Sequence, residues 1–408
     1  MILSKSRTLL AMTAVFVSCN LRAEVVEIGS AEELAAQITA NPAGDYKLTA
    51  DIDCSGWTTC DFSGALDGGG KTISGLTTAL FGTVSGNAQI KNLVISGATI
   101  SHTSGNSYTS GFVASVVNGS DVLVSGITFT GCSLQEAGAA SRAGMVAGTF
   151  TCTGAGRIQN VSLDSTCAID ASAGCGGLGG VCGSITANGV GAVVTLSNCV
   201  NRATVTISSY TTYIAGLVAF ASCNSTGTTT ADLAHVVLED CANYSSLTVN
   251  KTNPTFGPLV NSFSNSNGRN YGDITFVRCA NYGDVTINTS TQLGGILGST
   301  GNGSPVHMYD CVNYGNLNCT SANKPAGGLV GSLGYILNTE DIFVGCANCG
   351  NITGGVIGGF VGQASANASY KSSFWRFVSC LQKGVLTASG GDMIVGEMVA
   401  KFSTASFP

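Results

Sequence analysis

The sequence predicts an all-β chain wound into a parallel β-helix of roughly nine irregular coils, entered through a short N-terminal capping helix. Three observations lead there. A Cys-x-Asn motif recurs at Cys199-x-Asn201, Cys241-x-Asn243, Cys279-x-Asn281, Cys311-x-Asn313 and Cys346-x-Asn348, with successive cysteines 42, 38, 32 and 35 residues apart and Cys380 a further 34 on. Each unit then reaches a glycine-framed apolar stretch, as in GGILG (294–298), GGLVG (327–331) and GGFVG (358–362). Between these landmarks the apolar residues alternate, with no helical spacing. A period of about 20–50 residues marks stacked repeats, in which no single unit can bury its own apolar face.

The elements follow in chain order. Residues 1–23 have the layout of a secretory signal: Lys5 and Arg7, an apolar run from Thr8 to Val17, then small or polar residues. Cleavage after Ala23 and after Cys19 both fit. A lipid anchor at Cys19 fits poorly, because a Leu-like residue normally opens that motif and Phe16 stands here. Residues 24–61 form the expected N-terminal cap, in which Ser30-Ala31-Glu32-Glu33 reads as a capping box. Leu34, Ala35 and Ile38 then share one face of a short helix, expected to cover the open edge of the first coil. Residues 62–408 form the repeat domain, whose nine or so coils, stacked at about 4.8 Å, would make a shaft on the order of 40 Å long. No comparable cap is expected after Cys380.

Within one unit, CANYGDVTI (279–287), the residues Cys279, Asn281, Gly283, Val285 and Ile287 fall on one side of a strand. Ala280, Tyr282, Asp284 and Thr286 fall on the other. A β-rich run precedes each cysteine, as in HVVLEDC and DITFVRC, so one period holds about three short strands. Equivalent positions then sit above one another. The asparagines should form a buried column, each amide bonded to the backbone and to the next asparagine. Upstream, GFVAS (111–115), AGMVAG (143–148), GGVCG (179–183) and AGLVAF (215–220) keep the glycine rhythm, and Cys132, Cys167 and Cys199 carry the cysteine rhythm backwards.

FSGALDGGGKTISGL (62–76), LFGTV (80–84), AQIKNLVISGATI (88–100) and the GGLVG-type stretches resemble secreted proteins with GLUG-type repeats. That resemblance spans nearly all of residues 45–400. It implies the pectin-lyase-like right-handed β-helix, and a surface or secreted, adhesin-like role with no catalytic residues to transfer. The cysteine richness departs from the pattern.

Composition narrows the function classes. With 44% apolar and 10% charged residues the chain must bury a large core. A net charge of −6 leaves no basic stripe for phosphates, which excludes nucleic acid as a partner. Glycans or cell-surface proteins are the expected partners, at a secreted or cell-surface location, with end-to-end self-association of the open last coil as a further expectation. No transmembrane segment, cofactor or metal is expected, since Cys346-x-x-Cys349 has no second ligand pair. Column cysteines read as buried free thiols, whereas Cys54 with Cys60 and Cys175 with Cys182, near turns, read as the disulfide candidates. GGGKT (68–72) imitates a phosphate loop without its first glycine or following helix, and reads as a corner between strands.

The candidate binding residues are Tyr244, Tyr282 and Tyr314, each one residue after a column asparagine and therefore facing outward. Asp240, Arg278 and Asp310, each just before a cysteine, read as a salt-bridge ladder. No catalytic residue is assigned, because His102, His235 and His307 stand isolated with no acidic partner at a recognisable spacing. The alternative to an adhesin-like role is a polysaccharide lyase or glycoside hydrolase on the same scaffold.

Overall fold

The computed structural model describes residues 24–102, 108–136, 138–171, 175–207, 213–225, 233–250, 255–265, 272–288, 291–320, 323–336, 340–366, 374–389 and 394–404. Residues 1–23, which the sequence reads as a secretory signal, lie outside them. Over the described residues the chain is an all-β parallel solenoid with one short helix. Every strand pairing runs parallel to the equivalent strand of the next coil, as in Ile274↔Val306 and Leu247↔Val285. One face is an 11-stranded sheet from Cys60–Phe62 to Val399–Thr404, so two end strands flank the nine that lie between. A second face is 19-stranded because most coils contribute two segments to it, one on each side of a sharp corner. The third side is divided into two 4-stranded and two 5-stranded sheets.

A single coil shows why. Gly272–Val277 runs along the large sheet, Arg278 turns the chain, and Ala280–Asn281 forms a two-residue segment. Val285–Ile287, Gln292–Gly294 and Leu297–Thr300 then complete the circuit. One period therefore holds five short segments where three were expected, because glycines and left-handed residues bend the chain within what reads as one run of alternation. The alternation itself holds: Cys279, Asn281, Val285 and Ile287 are buried, and Tyr282 is 43% exposed.

The helix spans Ala31–Ala40, with the Ser30 side chain accepting from the Glu33 amide. Leu34 and Ile38 are buried beneath it. Glu33 closes the box on the amide of Gly29, one residue earlier than Ser30, at 2.7 Å. Val26–Ile28 and Asp45–Leu48 already belong to the 19-stranded sheet, pairing with each other and then with Ala65–Ser74. GGGKT lies inside that last strand as a bulge, where the register shifts between Asp67 and Lys71. Among the described residues nothing covers the final coil, and Phe374, Leu381, Val385 and Val395 are each more than half exposed there.

The cysteines that recur from Cys132 to Cys380 at about one coil's spacing form two files, not one. Ala168 pairs with Ser133 and with Thr204, which places Cys167 over Cys132 and under Ala203. Val200 pairs with Ser162, so Cys199 stands over Val161 and opens the separate file Cys199, Cys241, Cys279, Cys311, Cys346 and Cys380. The 32-residue step from Cys167 to Cys199 matches a coil length while changing corners. None of the described cysteines is in a disulfide. This corrects the expectation for Cys54–Cys60 and Cys175–Cys182: Cys175 and Cys182 open strands of two different sheets, both thiols buried. Within the long file each thiol donates to backbone carbonyls, as Cys279 Sγ does to Leu238 O at 3.4 Å and Val277 O at 3.5 Å.

Candidate functional site

The site is built on the asparagine column. Asn201, Asn243, Asn281, Asn313 and Asn348 are all fully buried. The side-chain amide of each donates to the side-chain oxygen of the next, at 3.1, 2.9, 2.9 and 2.8 Å in order. From Asn243 onward the same amide also donates to the carbonyl two residues ahead, at 2.9–3.0 Å. In the next coil Gln382 takes over, accepting from Asn348 at 3.1 Å and donating to Gly384 O at 2.8 Å. From Asn243 to Asn348 both N–H bonds of each column amide thus find a partner, as a buried polar row requires.

The residue after each asparagine, and after Gln382, points outward, giving the file Arg202, Tyr244, Tyr282, Tyr314, Cys349 and Lys383. The three tyrosines stack almost face to face. Tyr244 and Tyr282 have ring centroids 4.5 Å apart and planes 5° apart, and Tyr282 and Tyr314 are at 4.9 Å and 7°. They are 42–47% exposed. The Arg202 guanidinium lies over the far face of Tyr244, 4.4 Å from its centroid, a cation–π contact. Ring faces are therefore used within the stack, and what the file shows outward is a row of ring edges and phenol groups. Partial burial, then the negative charge its two neighbours would carry, push the Tyr282 phenol up. The Tyr282 phenol therefore stays protonated and neutral at ordinary pH. Cys346 faces the core and Cys349 faces out with this file, so their spacing of three separates them and they form no clamp.

The position before each column cysteine is a left-handed corner. There Asn198, Asp240, Arg278, Asp310 and Ser379 have φ between 50° and 54° and Gly345 holds the same conformation, as Asn92, Gly126 and Asn160 do before Leu93, Ile127 and Val161 in earlier coils. This is the backbone that short polar residues and glycine tolerate, and a bulky residue rarely adopts it. Arg278 does so while bridging both oxygens of Asp240, at 2.7 and 2.9 Å, and reaching Glu239 at 2.5 Å. The expected ladder stops there: Arg278 bonds back to Asp240 and Glu239, and no ion pair to Asp310 is formed among the described residues.

Two of the three histidines have carboxylate partners. His235 Nδ1 lies 3.0 Å from Asp273 Oδ2, and Thr275 Oγ1 donates to the other Asp273 oxygen at 3.3 Å. The hydrogen bond to Asp273 pushes the His235 pKa up. His102 Nδ1 lies 2.7 Å from Glu136 Oε1. His307 Nε2 lies 3.2 Å from the Glu340 carbonyl. The acidic partners stand 38 and 34 residues after their histidines, one full coil away. A search at catalytic-motif spacings misses them, whereas adding one period to each histidine position finds both. Among the described residues no group of three His, Cys, Asp or Glu side chains could hold a metal ion. No helix of the described chain is long and apolar enough to cross a membrane.

The class defined by this architecture is the parallel β-solenoid with in-register polar files. No family model matches the chain, and no curated protein matches it. Among solved structures, a Bacteroides ovatus protein described as a "putative immunoglobulin A1 protease" aligns over 95% of this chain and 85% of its own length. The identity is 14% and the TM-score 0.35, values too low to bear on what this chain does.

Proposed function

We propose that the chain is an exported, surface-displayed, adhesin-like rod that presents the tyrosine file to a glycan. The single observation behind this reading is the stack Tyr244–Tyr282–Tyr314, an exposed aromatic row fixed on a buried hydrogen-bonded column. Three rings at about one rung spacing offer phenol donors and acceptors in a line, with Arg202 at one end and Lys383 farther along the same file. Aromatic edges with polar tips suit hydroxyl-rich surfaces and lose little entropy on binding, because packing has already fixed the rings. The layout of residues 1–23 and the resemblance to GLUG-type repeats support export and display.

A glycan array and a cell-binding screen with residues 24–408 test the reading. Replacing Tyr244, Tyr282 and Tyr314 together by Ser should abolish the strongest signals, and replacing all three by Phe should weaken them while keeping the stack. Unchanged binding in both triple variants, with unaltered circular dichroism, removes the tyrosine file from the function.

An observation in favour of the enzymatic alternative is the His235–Asp273 pair, a base and its orienting carboxylate on an outer sheet face. Asp240 does not serve it, since Arg278 occupies both of its oxygens. Glycan cleavage by the wild type that is lost in Asp273→Asn would replace the adhesin-like reading.

A further inference from the structure

A second site, independent of the tyrosine file, lies at the N-terminal end of the rod. Thr99–His102 and Ser133–Glu136 pair in register, with Glu136 opposite His102. Inward positions on these and the following strand are Ile100, Leu134 and Ile169, all buried and apolar. Glu136 is the exception: its side chain is 0% exposed, yet only one carboxylate oxygen has a hydrogen-bond partner. A carboxylate taken wholly out of water is costly, and a structural pair would satisfy both oxygens or be replaced by an apolar residue. Glu136 Oε1 faces His102 Nδ1 at 2.7 Å, and Ser110 Oγ approaches the same nitrogen at 3.4 Å. A carboxylate on Nδ1 fixes the proton there and leaves the lone pair of neutral histidine on Nε2. That nitrogen has no hydrogen-bond partner among the described residues, and the ring is 30% exposed.

His102 borders a cavity of about 210 Å³. Its polar lining is Thr59, Thr78, Thr109, Ser110 and Ser115, with Ile100 and Ala79 as an apolar flank. Tyr108 stacks on the imidazole with centroids 3.9 Å apart and holds the ring in place. No Asp, Glu, Lys or Arg lines the cavity among the described residues, so nothing there compensates a charged ligand. The volume equals that of roughly seven liquid waters and is smaller than a pocket for a drug-sized molecule.

We propose that this cavity binds a small neutral polyhydroxylated molecule of monosaccharide size, whose hydroxyl donates to His102 Nε2 while the buried Glu136 holds the imidazole in that tautomer. Hydroxyls of the lining supply the remaining donors and acceptors, and the Ile100 flank takes the carbon face.

Carbethoxylation with diethyl pyrocarbonate reads out this nitrogen without any substitution. The full secreted chain is treated alone and with each member of a panel of neutral hexoses, pentoses and linear polyols, and modification of His102, His235 and His307 is followed by mass spectrometry. At least one panel member should slow modification of His102 roughly tenfold at saturation and leave His235 and His307 unchanged. Equal rates at His102 with every panel member, or equal slowing at all three histidines, overturn the proposal. Titration of Glu136→Gln with the protecting molecule then isolates the carboxylate: a loss of roughly tenfold in affinity is expected. Undiminished affinity overturns the role given to Glu136.

Discussion

Gly328 lies directly against Asn348. A Cβ built on Gly328 would stand 2.6 Å from Asn348 Cγ and 2.7 Å from its Cβ, and would also strike the backbone carbonyl of Gly359. Gly295 meets Asn313 in the same way, at 2.7 Å from its Cγ. The two motifs that recur along the chain therefore meet across its interior, each glycine pair making room for the buried amide of the following coil.

Gly328→Ala should consequently cost about 3 kcal/mol, since both neighbours are fixed, one by the backbone ladder and one by the amide column. Gly97→Ala, with φ of 61° and nothing within 4 Å of the added Cβ, should cost about 1 kcal/mol from the left-handed backbone alone. Denaturant midpoints at constant slope measure both, and equal losses would contradict the contact assigned to Gly328.

Asn281→Ala removes the amide that donates to Asn313 and to Gly283 O, and the oxygen that accepts from Asn243. The expected loss is about 2–4 kcal/mol, mostly the penalty of stranding buried neighbours. Asn281→Asp should be worse at neutral pH, because it sets a carboxylate against the Asn313 oxygen. Thermal melts of the two variants at pH 7 decide the order.

Asp341 is fully buried, and desolvation pushes its carboxyl up to about 8, although the Val306 amide bonded to it pulls the other way. The unfolded chain releases this proton near pH 4, while the folded chain keeps it until about pH 8. Folded protein thus binds more protons across that window, and its stability falls as pH rises through it. Asp341→Asn, which keeps an acceptor for Val306, should change stability little at pH 4 and raise it by up to about 5 kcal/mol at pH 8. Melting curves of both proteins from pH 4 to pH 8 test this, and parallel curves would refute it.

Burial pushes the thiols of Cys152 and Cys175 up to about 11 and that of Cys54 up to about 12. Desolvation also raises Cys279 in the long file. Such thiols are poor nucleophiles. The native chain of residues 24–408 should take up maleimide only at the half-buried Cys60, Cys349 and Cys380, and the same chain denatured without reduction at all sixteen of its cysteines. Fewer than sixteen labels after denaturation would reveal disulfides.

Much of this was readable from residue order. The Cys-x-Asn and Gly-Gly recurrences specify stacked coils because parallel strands a rung apart place equal positions in one file, and alternation assigns Asn281 inward and Tyr282 outward without any coordinates. Ser30 and Glu33 likewise announce the helix start. Coil length, however, is not coil phase: Cys167 and Cys199 are one period apart in sequence and sit at different corners, which only the strand register reveals. The same holds for chemistry. His102 meets Glu136 and His235 meets Asp273 because one turn of the solenoid brings them level, so their proximity is a property of the wound chain and not of any local motif. The tyrosines were legible as an outward file, but that their faces are spent on one another and on Arg202 depends on the 4.5–4.9 Å spacing the rungs impose. Local pattern decided which side each residue faces; winding decided its neighbours, since those contacts bridge a whole coil whose length varies from turn to turn.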